Sequence, residues 1–229
     1  MDFTGERFIP GNESGLLEAE HVQRYAFAGT HAKGRAVLDI ACGAGYGSSL
    51  LQKAGAASVT GVDVSEEAVR FAQSHYSGSG MQFIAHDAEQ FRQGTYDLIV
   101  SFETIEHLEK RQQFLENLKT MLNPGGILII STPNKVITSP MKAPSEIRNK
   151  YHKYEYREAE FIDALQRAGF NRITKYGQHA YPRIFQNQII SRLLRRHLNR
   201  DRIETAAVSL MGKNAVPRYF VFIAETKTI

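Results

Sequence analysis

Val37-Leu38-Asp39-Ile40-Ala41-Cys42-Gly43-Ala44-Gly45-Tyr46-Gly47 reads as a short apolar strand running into a glycine loop. Glycines at 43, 45 and 47 let the backbone turn sharply and let a ligand approach closely. The loop opens a helical stretch, Tyr46–Ala54. Its free N–H groups would face the crevice at the strand ends, where doubly wound sheets bind ligands. Dinucleotide enzymes also use a glycine loop, but their G-x-G-x-x-G pattern sets the third glycine one position later than here. Asp39 ends the strand. A carboxylate there would oppose a pyrophosphate and could suit the ammonium end of a zwitterionic amino-acid cofactor.

Outward from this loop, strands and helices alternate. Ala36–Ala41, Ser58–Val62, Gln82–Ala85, Leu98–Phe102 and Ile127–Ser131 are short apolar runs, expected as strands buried on both faces. Tyr46–Ala54, Glu66–Tyr76 and Arg111–Leu122 lie between them as helices. That alternation implies right-handed crossovers and a mainly parallel sheet with helices on both faces, a doubly wound α/β fold. Leu16–Ala28 reads as an earlier helix, and Glu158–Ala168 as a later one ending at Gly169, a suitable left-handed cap. Ile173–Tyr176 and Tyr219–Ala224 are further strands. Ile184–Leu198 carries Ile189, Ile190, Leu193, Leu194 and Leu198 at helical spacing, with Arg192, Arg195 and Arg196 opposite. It reads as an amphipathic helix, packed on its own core or facing an anionic acceptor.

The bulk properties set limits. The 229 residues are 42% hydrophobic and 23% charged, the profile of a globular enzyme. One domain is expected: an N-terminal lid and helix segment to residue 34, a cofactor-binding core over 35–135, and an acceptor side over 136–229. No apolar run approaches the roughly 20 residues of a membrane span, and Met1–Pro10 lacks a secretory signal's apolar core. A single cysteine, Cys42, excludes an internal disulfide and fits a reducing compartment, so a cytoplasmic protein is expected. A net charge of +4 permits an anionic substrate without requiring one.

Two more acids follow successive strands. Asp63 ends the second, and an acid about 20 residues beyond a glycine loop can take both ribose hydroxyls of an adenosine. Asp87 follows the third, near where the adenine amino group would lie. Each alone could merely cap the following helix; three acids after three strands are harder to assign to capping. Together with Tyr96-Asp97-Leu98-Ile99 and Leu122-Asn123-Pro124-Gly125-Gly126, these residues resemble the successive motifs of class I S-adenosylmethionine-dependent methyltransferases over roughly residues 35 to 175. The resemblance implies a seven-stranded sheet with an antiparallel last strand. It also implies that Gly43 and Gly45 lie along the methionine part, Asp63 takes the ribose, and Asp87 with Ala88 flanks the adenine. Ala41, Tyr46, Val64 and Phe102 join the expected cofactor contacts, and Tyr25 either covers the cofactor or packs in the core.

The fourth strand leads into Ser101-Phe102-Glu103-Thr104-Ile105-Glu106-His107-Leu108. Glu103 lies three residues from Glu106 and four from His107, so on a helical turn both could reach toward it. Two carboxylates and an imidazole make a seat for a divalent ion. An acidic first turn favoured by the helix dipole, with His107 packed under the adenosine, is the plainer account. Glu-x-x-Glu-His, with His152 later in Asn149-Lys150-Tyr151-His152-Lys153-Tyr154-Glu155-Tyr156, is similar to metal-dependent O-methyltransferases of ubiquinone pathways and of small RNA 2′-hydroxyls. That resemblance implies Mg²⁺ or Mn²⁺ on Glu103, Glu106, His107 and His152, lowering the pKa of an attacking hydroxyl. His179 is a further candidate base, or an ordinary polar loop residue.

Thr4-Gly5-Glu6-Arg7-Phe8-Ile9-Pro10, Glu20-His21, Arg24-Tyr25-Ala26-Phe27 and Ser131-Thr132-Pro133-Asn134-Lys135 resemble small bacterial methyltransferases of glycan and sugar-decorated product pathways. The expected acceptor is thus a sugar hydroxyl of a small molecule or glycan. RNA-end methylation, metal-free O- or N-methylation of a small molecule, a nicotinamide dehydrogenase and a catalytically silent cofactor-binding subunit remain as alternatives.

Overall fold

A computed structural model describes residues 15–76, 78–139, 147, 149–186, 207–212 and 214–226. Its elements are α1 (Gly15–Gly29), β1 (Ala36–Ile40), α2 (Tyr46–Lys53), β2 (Ser58–Asp63), α3 (Glu66–Tyr76), β3 (Met81–Ala85) and β4 (Tyr96–Ser101). A 3₁₀ turn (Ile105–His107) leads to α4 (Arg111–Thr120), β5 (Leu122–Pro133), α5 (Lys135–Thr138), α6 (Glu158–Arg167), β6 (Arg172–Pro182), β7 (Ser209–Leu210) and β8 (Ala215–Glu225). Most of the stretch expected as a helix over Ile184–Leu198, and the chain ahead of α1, lie outside the described residues.

The strands form one sheet in the order β3-β2-β1-β4-β5-β8-β6-β7. The first five are parallel, and β8 runs antiparallel to β5 and β6. Strand order therefore reverses at β1, between β2 and β4, the arrangement that opens a crevice beyond the strand ends. The expected count of seven is corrected to eight. The additional strand, β7, is a two-residue pairing on the outer edge of β6. The strands β6 and β8 also run well beyond the apolar cores that marked them, because each supplies the other's backbone partners from Arg172↔Glu225 to Pro182↔Ala215. Expected burial on both faces fails at β3, an edge strand whose Gln82 and Ala85 are exposed.

Strand alternation builds a core on each face of the sheet. Ile99 of β4, Leu128 and Ile130 of β5, and Phe220 and Phe222 of β8 meet Phe114, Leu115 and Leu118 of α4 and Phe161 and Leu165 of α6. Their neighbours Leu98, Val100, Ile127, Ile129, Val221 and Ile223 point the other way, toward Tyr25 and Ala28 of α1 and Leu51 of α2. The helix α6 stops where Gly169 takes the left-handed conformation expected of it, with φ 99°. Among the described residues, no helix is long and apolar enough to cross a membrane.

Gly47 has a packing reason for being glycine. Any Cβ there would run into the ring of Tyr25. Gly47→Ala should destabilise the fold by about 1–3 kcal/mol through overpacking. In a Tyr25→Ala background, where the ring is gone, the same change should cost far less. Urea denaturation of the four proteins measures this, and equal costs in both backgrounds would refute the contact.

Candidate cofactor crevice and histidine–carboxylate cluster

Past Ile40 the chain turns through three left-handed residues, Ala41 (φ 63°), Gly43 (φ 55°) and Gly45 (φ 82°), into α2. A Cβ on Gly43 would meet nothing within 4 Å, so that face of the loop is open. Gly45 is closed instead: a methyl would sit 2.6 Å from the Ala72 Cβ on α3. One glycine thus leaves room for a ligand and the other lets two elements touch.

The three expected acids already hold protein donors. Asp39 is buried, with Oδ1 accepting the Tyr25 hydroxyl (3.0 Å) and Oδ2 the Ser48 hydroxyl (2.6 Å). Those bonds use two of the roughly four acceptor positions of a carboxylate. Burial pushes its carboxyl up to about 6, against the opposing effect of the Ser48 and Tyr25 bonds. Asp63 accepts the Gly43 N–H at Oδ2 and the Ser65 N–H at Oδ1, both at 2.9 Å, and so clamps the glycine loop to the turn after β2. The next residue, Val64, is 69% exposed. Asp87 accepts the Glu89 N–H and the Gln90 side-chain amide, both at 2.9 Å, and so closes a turn, since the next element after β3 is the strand β4, not a helix for it to cap. Ala88 beside it packs partly buried against the core. Tyr25 packs in the core: it is 5% exposed, and Tyr46 and Phe102 pack edge-on to its ring at 5.4 and 5.1 Å between centroids.

The second group forms where β4 leaves the sheet. Glu103 takes a left-handed φ of 48°, and the chain then enters the 3₁₀ turn rather than the α-helical turn the spacing allows. That geometry carries Glu103 aside. Its Oε1 accepts the Ser131 hydroxyl at 2.6 Å and lies 4.0 Å from the Arg24 guanidinium. Glu106 is completely buried, with Oε2 accepting the Thr132 hydroxyl at 3.1 Å. Its Oε1 has no hydrogen-bond partner among the described residues. Burial, reinforced by the neighbouring Glu103 charge, holds the Glu106 carboxyl well above the usual carboxylate range.

The Glu106 carbonyl receives the N–H groups of Lys153 (2.8 Å) and Tyr154 (3.1 Å), which draws the 149–156 loop onto the turn. His107 Nδ1 then meets the Tyr151 carbonyl at 3.2 Å. A carbonyl only accepts, so Nδ1 carries the proton and the lone pair lies on Nε2. For His152, Nδ1 faces Glu155 Oε1 at 2.9 Å and Nε2 faces the Asn149 side-chain nitrogen at 2.8 Å. Asn149 Oδ1 is committed to the Tyr151 N–H, so its amide nitrogen is the donor and His152 Nε2 the acceptor. One ligand atom from each of Glu106, His107 and His152 lies within 4.8 Å of the others. Glu103 is not in that group, because Ser131 and Arg24 hold its carboxylate elsewhere.

His179 sits within β6, not in a loop after a strand. It is 4% exposed, with Nε2 2.7 Å from Glu20 Oε1. Beside it, Gln178 accepts from Arg24 (2.6 Å) and donates to the Glu20 carbonyl (3.0 Å). The group joins α1 to β6 and is not part of the Glu106–His107–His152 cluster. Arg24, 1% exposed, lies within a sequence motif that gives it no role of its own, although Glu20 and Arg24 share one helix face with the buried Ala28. Ser131, Thr132, Asn149 and Glu155 likewise lie within motifs that give them no role of their own, and only the three-residue spacing of Glu155 from His152 hints at one.

A family model described as a methyltransferase domain matches residues 38–130. A ubiquinone biosynthesis O-methyltransferase of Paraburkholderia xenovorans is 34% identical over 175 residues, covering 73% of this chain and 73% of that protein. The chain belongs to the class I S-adenosylmethionine-dependent methyltransferases. A protein of Mycolicibacterium smegmatis named a probable S-adenosylmethionine-dependent methyltransferase is 32% identical over 171 residues, 74% of this chain. This chain spans only 65% of that relative's length. An S-adenosylmethionine-dependent methyltransferase structure from Mesorhizobium loti superposes with a TM-score of 0.64 at 20% identity, over 92% of this chain and 100% of that one, and shares the fold.

In this methyltransferase, Asp39 gives stability a testable pH dependence. A carboxyl raised by folding binds its proton more tightly in the native state, so its contribution falls as pH rises from about 4 through about 6. Over that window the stability of Asp39→Asn should rise relative to the unmutated protein, by up to about 3 kcal/mol at the upper plateau. Urea titrations of both at pH 4, 5, 6 and 7 provide the comparison. A constant difference would show that folding does not raise the Asp39 carboxyl.

Proposed function

We propose that this chain moves the methyl group of S-adenosylmethionine to a hydroxyl oxygen on a vicinal-diol sugar, in a glycan or sugar-bearing small molecule, assisted by Mg²⁺ or Mn²⁺. The observation that carries this reading is the convergence of Glu106, His107 and His152 with ligand atoms within 4.8 Å. Glu106 Oε1 is buried with no hydrogen-bond partner among the described residues, and a cation beside it would offset the cost of ionising a carboxyl that burial otherwise holds well above the usual range. The donor set, one carboxylate and two imidazoles, suits a hard or borderline divalent ion. Glu106, His107 and His152 would hold the cation, and Glu103, drawn off by Ser131, lies outside the set. A cation bound there supplies Lewis-acid chemistry, lowering the pKa of a hydroxyl it binds.

The remaining work falls to the chain itself. The open side of Gly43 admits the methionine part, Asp63 sets the glycine loop against the ribose position, and Tyr25, Tyr46 and Phe102 wall the crevice from water. In the transfer, the oxygen–methyl bond forms as the sulfur–methyl bond breaks, leaving S-adenosylhomocysteine and releasing the hydroxyl proton. Alignment of the two centres is the main catalytic device in such a displacement. The O-methyltransferase relative supports an oxygen acceptor. A second reading, methylation of an RNA 3′-terminal ribose, is favoured by the 41% exposed Tyr151 beside the cluster, with Lys150 Nζ 4.7 Å from its ring centroid, a surface suited to a base and a phosphate.

Calorimetry of S-adenosylhomocysteine binding followed by Mn²⁺ titration tests the proposal. His107→Ala should keep cofactor binding and lose Mn²⁺ binding by more than the roughly 10–100-fold that outer-shell changes cost. Turnover on vicinal-diol sugars should stop with a chelator and return with Mn²⁺. Cofactor binding without any Mn²⁺ binding would overturn the metal. Activity confined to RNA bearing a terminal 2′-hydroxyl would select the second reading.

A further inference from the structure

We propose that Glu155 is a positioning residue: its buried carboxylate holds the His152 ring and keeps the proton on Nδ1, so that the Nε2 lone pair, which here accepts the Asn149 amide N–H at 2.8 Å, can exchange that donor for a cation at the Glu106–His107 cluster. This rests on the reading of that cluster as a cation seat. Glu155 touches no atom of the cluster except through His152, and nothing in the crevice or the transfer itself requires an acid at this position.

The geometry is unusually constrained for a loop. Glu155 is 1% exposed, although it follows an exposed turn, and a carboxylate so placed needs donors on both oxygens. Oε1 takes the His152 Nδ1–H at 2.9 Å and Oε2 takes the Thr138 hydroxyl at 2.7 Å. Thr138 ends α5, whose N-terminus Asn134 caps by accepting the Val136 N–H at 3.1 Å. The Asn134 amide also donates to the Pro217 carbonyl at 2.8 Å, which fixes α5 to β8. Lys135 donates its N–H to the Tyr156 carbonyl at 2.9 Å, one residue from Glu155. The carboxylate is therefore anchored to the sheet independently of His152.

The anchor is shared with the other half of the cluster. Thr132 of β5 holds the Glu106 carboxylate, and α5, which carries Thr138, begins two residues after β5 ends. One rigid strand with its short continuation thus sets both Glu106 and, through Thr138 and Glu155, His152. A carboxylate or carbonyl on the far nitrogen is also what fixes tautomer and ring orientation in a metal-bound histidine and raises its basicity. His107 has a carbonyl in that place and His152 a carboxylate.

Two variants separate positioning from simple structural support. Glu155→Gln keeps an acceptor for His152 Nδ1–H and a partner for Thr138, whereas Glu155→Leu keeps neither. Long-range ¹⁵N–¹H NMR of the imidazoles in the full chain, without added metal, should show His152 as the Nδ1–H tautomer in the unmutated protein and in Glu155→Gln. In Glu155→Leu combined with Asn149→Ala, which also removes the amide that donates to Nε2, that tautomer should no longer dominate, whereas Asn149→Ala alone should keep it. Calorimetric titration with Mn²⁺ should show binding about 10–100-fold weaker in Glu155→Leu, recovered most of the way by Glu155→Gln, with S-adenosylhomocysteine affinity unchanged in both. In a His152→Ala background, Glu155→Leu should weaken Mn²⁺ no further, because its effect runs through that ring.

An unchanged His152 tautomer in Glu155→Leu/Asn149→Ala, or Mn²⁺ affinity in Glu155→Leu equal to that of the unmutated protein, would overturn the proposal. So would an equal loss in the His152→Ala background. If Glu155→Leu does not fold, the Glu155→Gln tautomer decides, since its loss would contradict the geometry. Failure of the unmutated protein to bind Mn²⁺ would instead sink the cation seat, and the NMR readout would still test whether Glu155 sets the ring.

Discussion

A carboxylate buried at the end of β1 must find donors, and Asp39 takes them from two different helices. The Tyr25 hydroxyl arrives from α1 and the Ser48 hydroxyl from α2. The N-terminal helix is thereby tied across the mouth of the crevice at the point where strand order reverses. Gly47 belongs to the same arrangement, because the Tyr25 ring occupies the space its side chain would need. Asp63 repeats the device one strand over, joining the glycine loop to the turn after β2 through two backbone N–H groups. Removing charge from water is costly unless the charge is hydrogen-bonded, so each acid fixes the elements that satisfy it.

The strand β5 plays the corresponding part for the second site. Ser131 takes Glu103 aside, Thr132 takes Glu106, and Asn134 starts the short helix whose Thr138 reaches Glu155. Alternate residues of this strand point to opposite faces, and the helix beyond it turns the chain back toward the 149–156 loop. The cluster therefore draws its geometry from a central strand buried on both sides, not from the loops that carry its histidines. Such support holds the Glu106 carboxyl directly and the His152 ring through Thr138 and Glu155.

Much of the scaffold was legible in residue order. Apolar runs bounded by glycine and acid marked β1, β2, β4 and the centre of β5, because strands covered on both faces admit polar residues only where a partner satisfies them, as Tyr25 and Ser48 satisfy Asp39. The edge strand β3 departed from that pattern, since one side of it meets solvent. The full reach of β6 and β8 was invisible as well. The longer added stretches, residues 177–182 of β6 and 215–218 of β8, mix polar and apolar types without a clear pattern and are held by backbone pairing with each other.

The sequence by itself determined the alternating α/β order, the open glycine at 43, the acids at the strand ends and the grouping of Glu106 with His107, all of which depend on spacing along a single segment. Tertiary structure decided what each of those groups does. It gave Asp39 to Tyr25 and Ser48, drew Glu103 away to Ser131, buried Arg24 between α1 and β6, and brought His152 with Glu155 against Glu106. Those outcomes pair residues remote in the chain. They follow from which donors burial places beside each carboxylate, and that choice is made only when the elements pack.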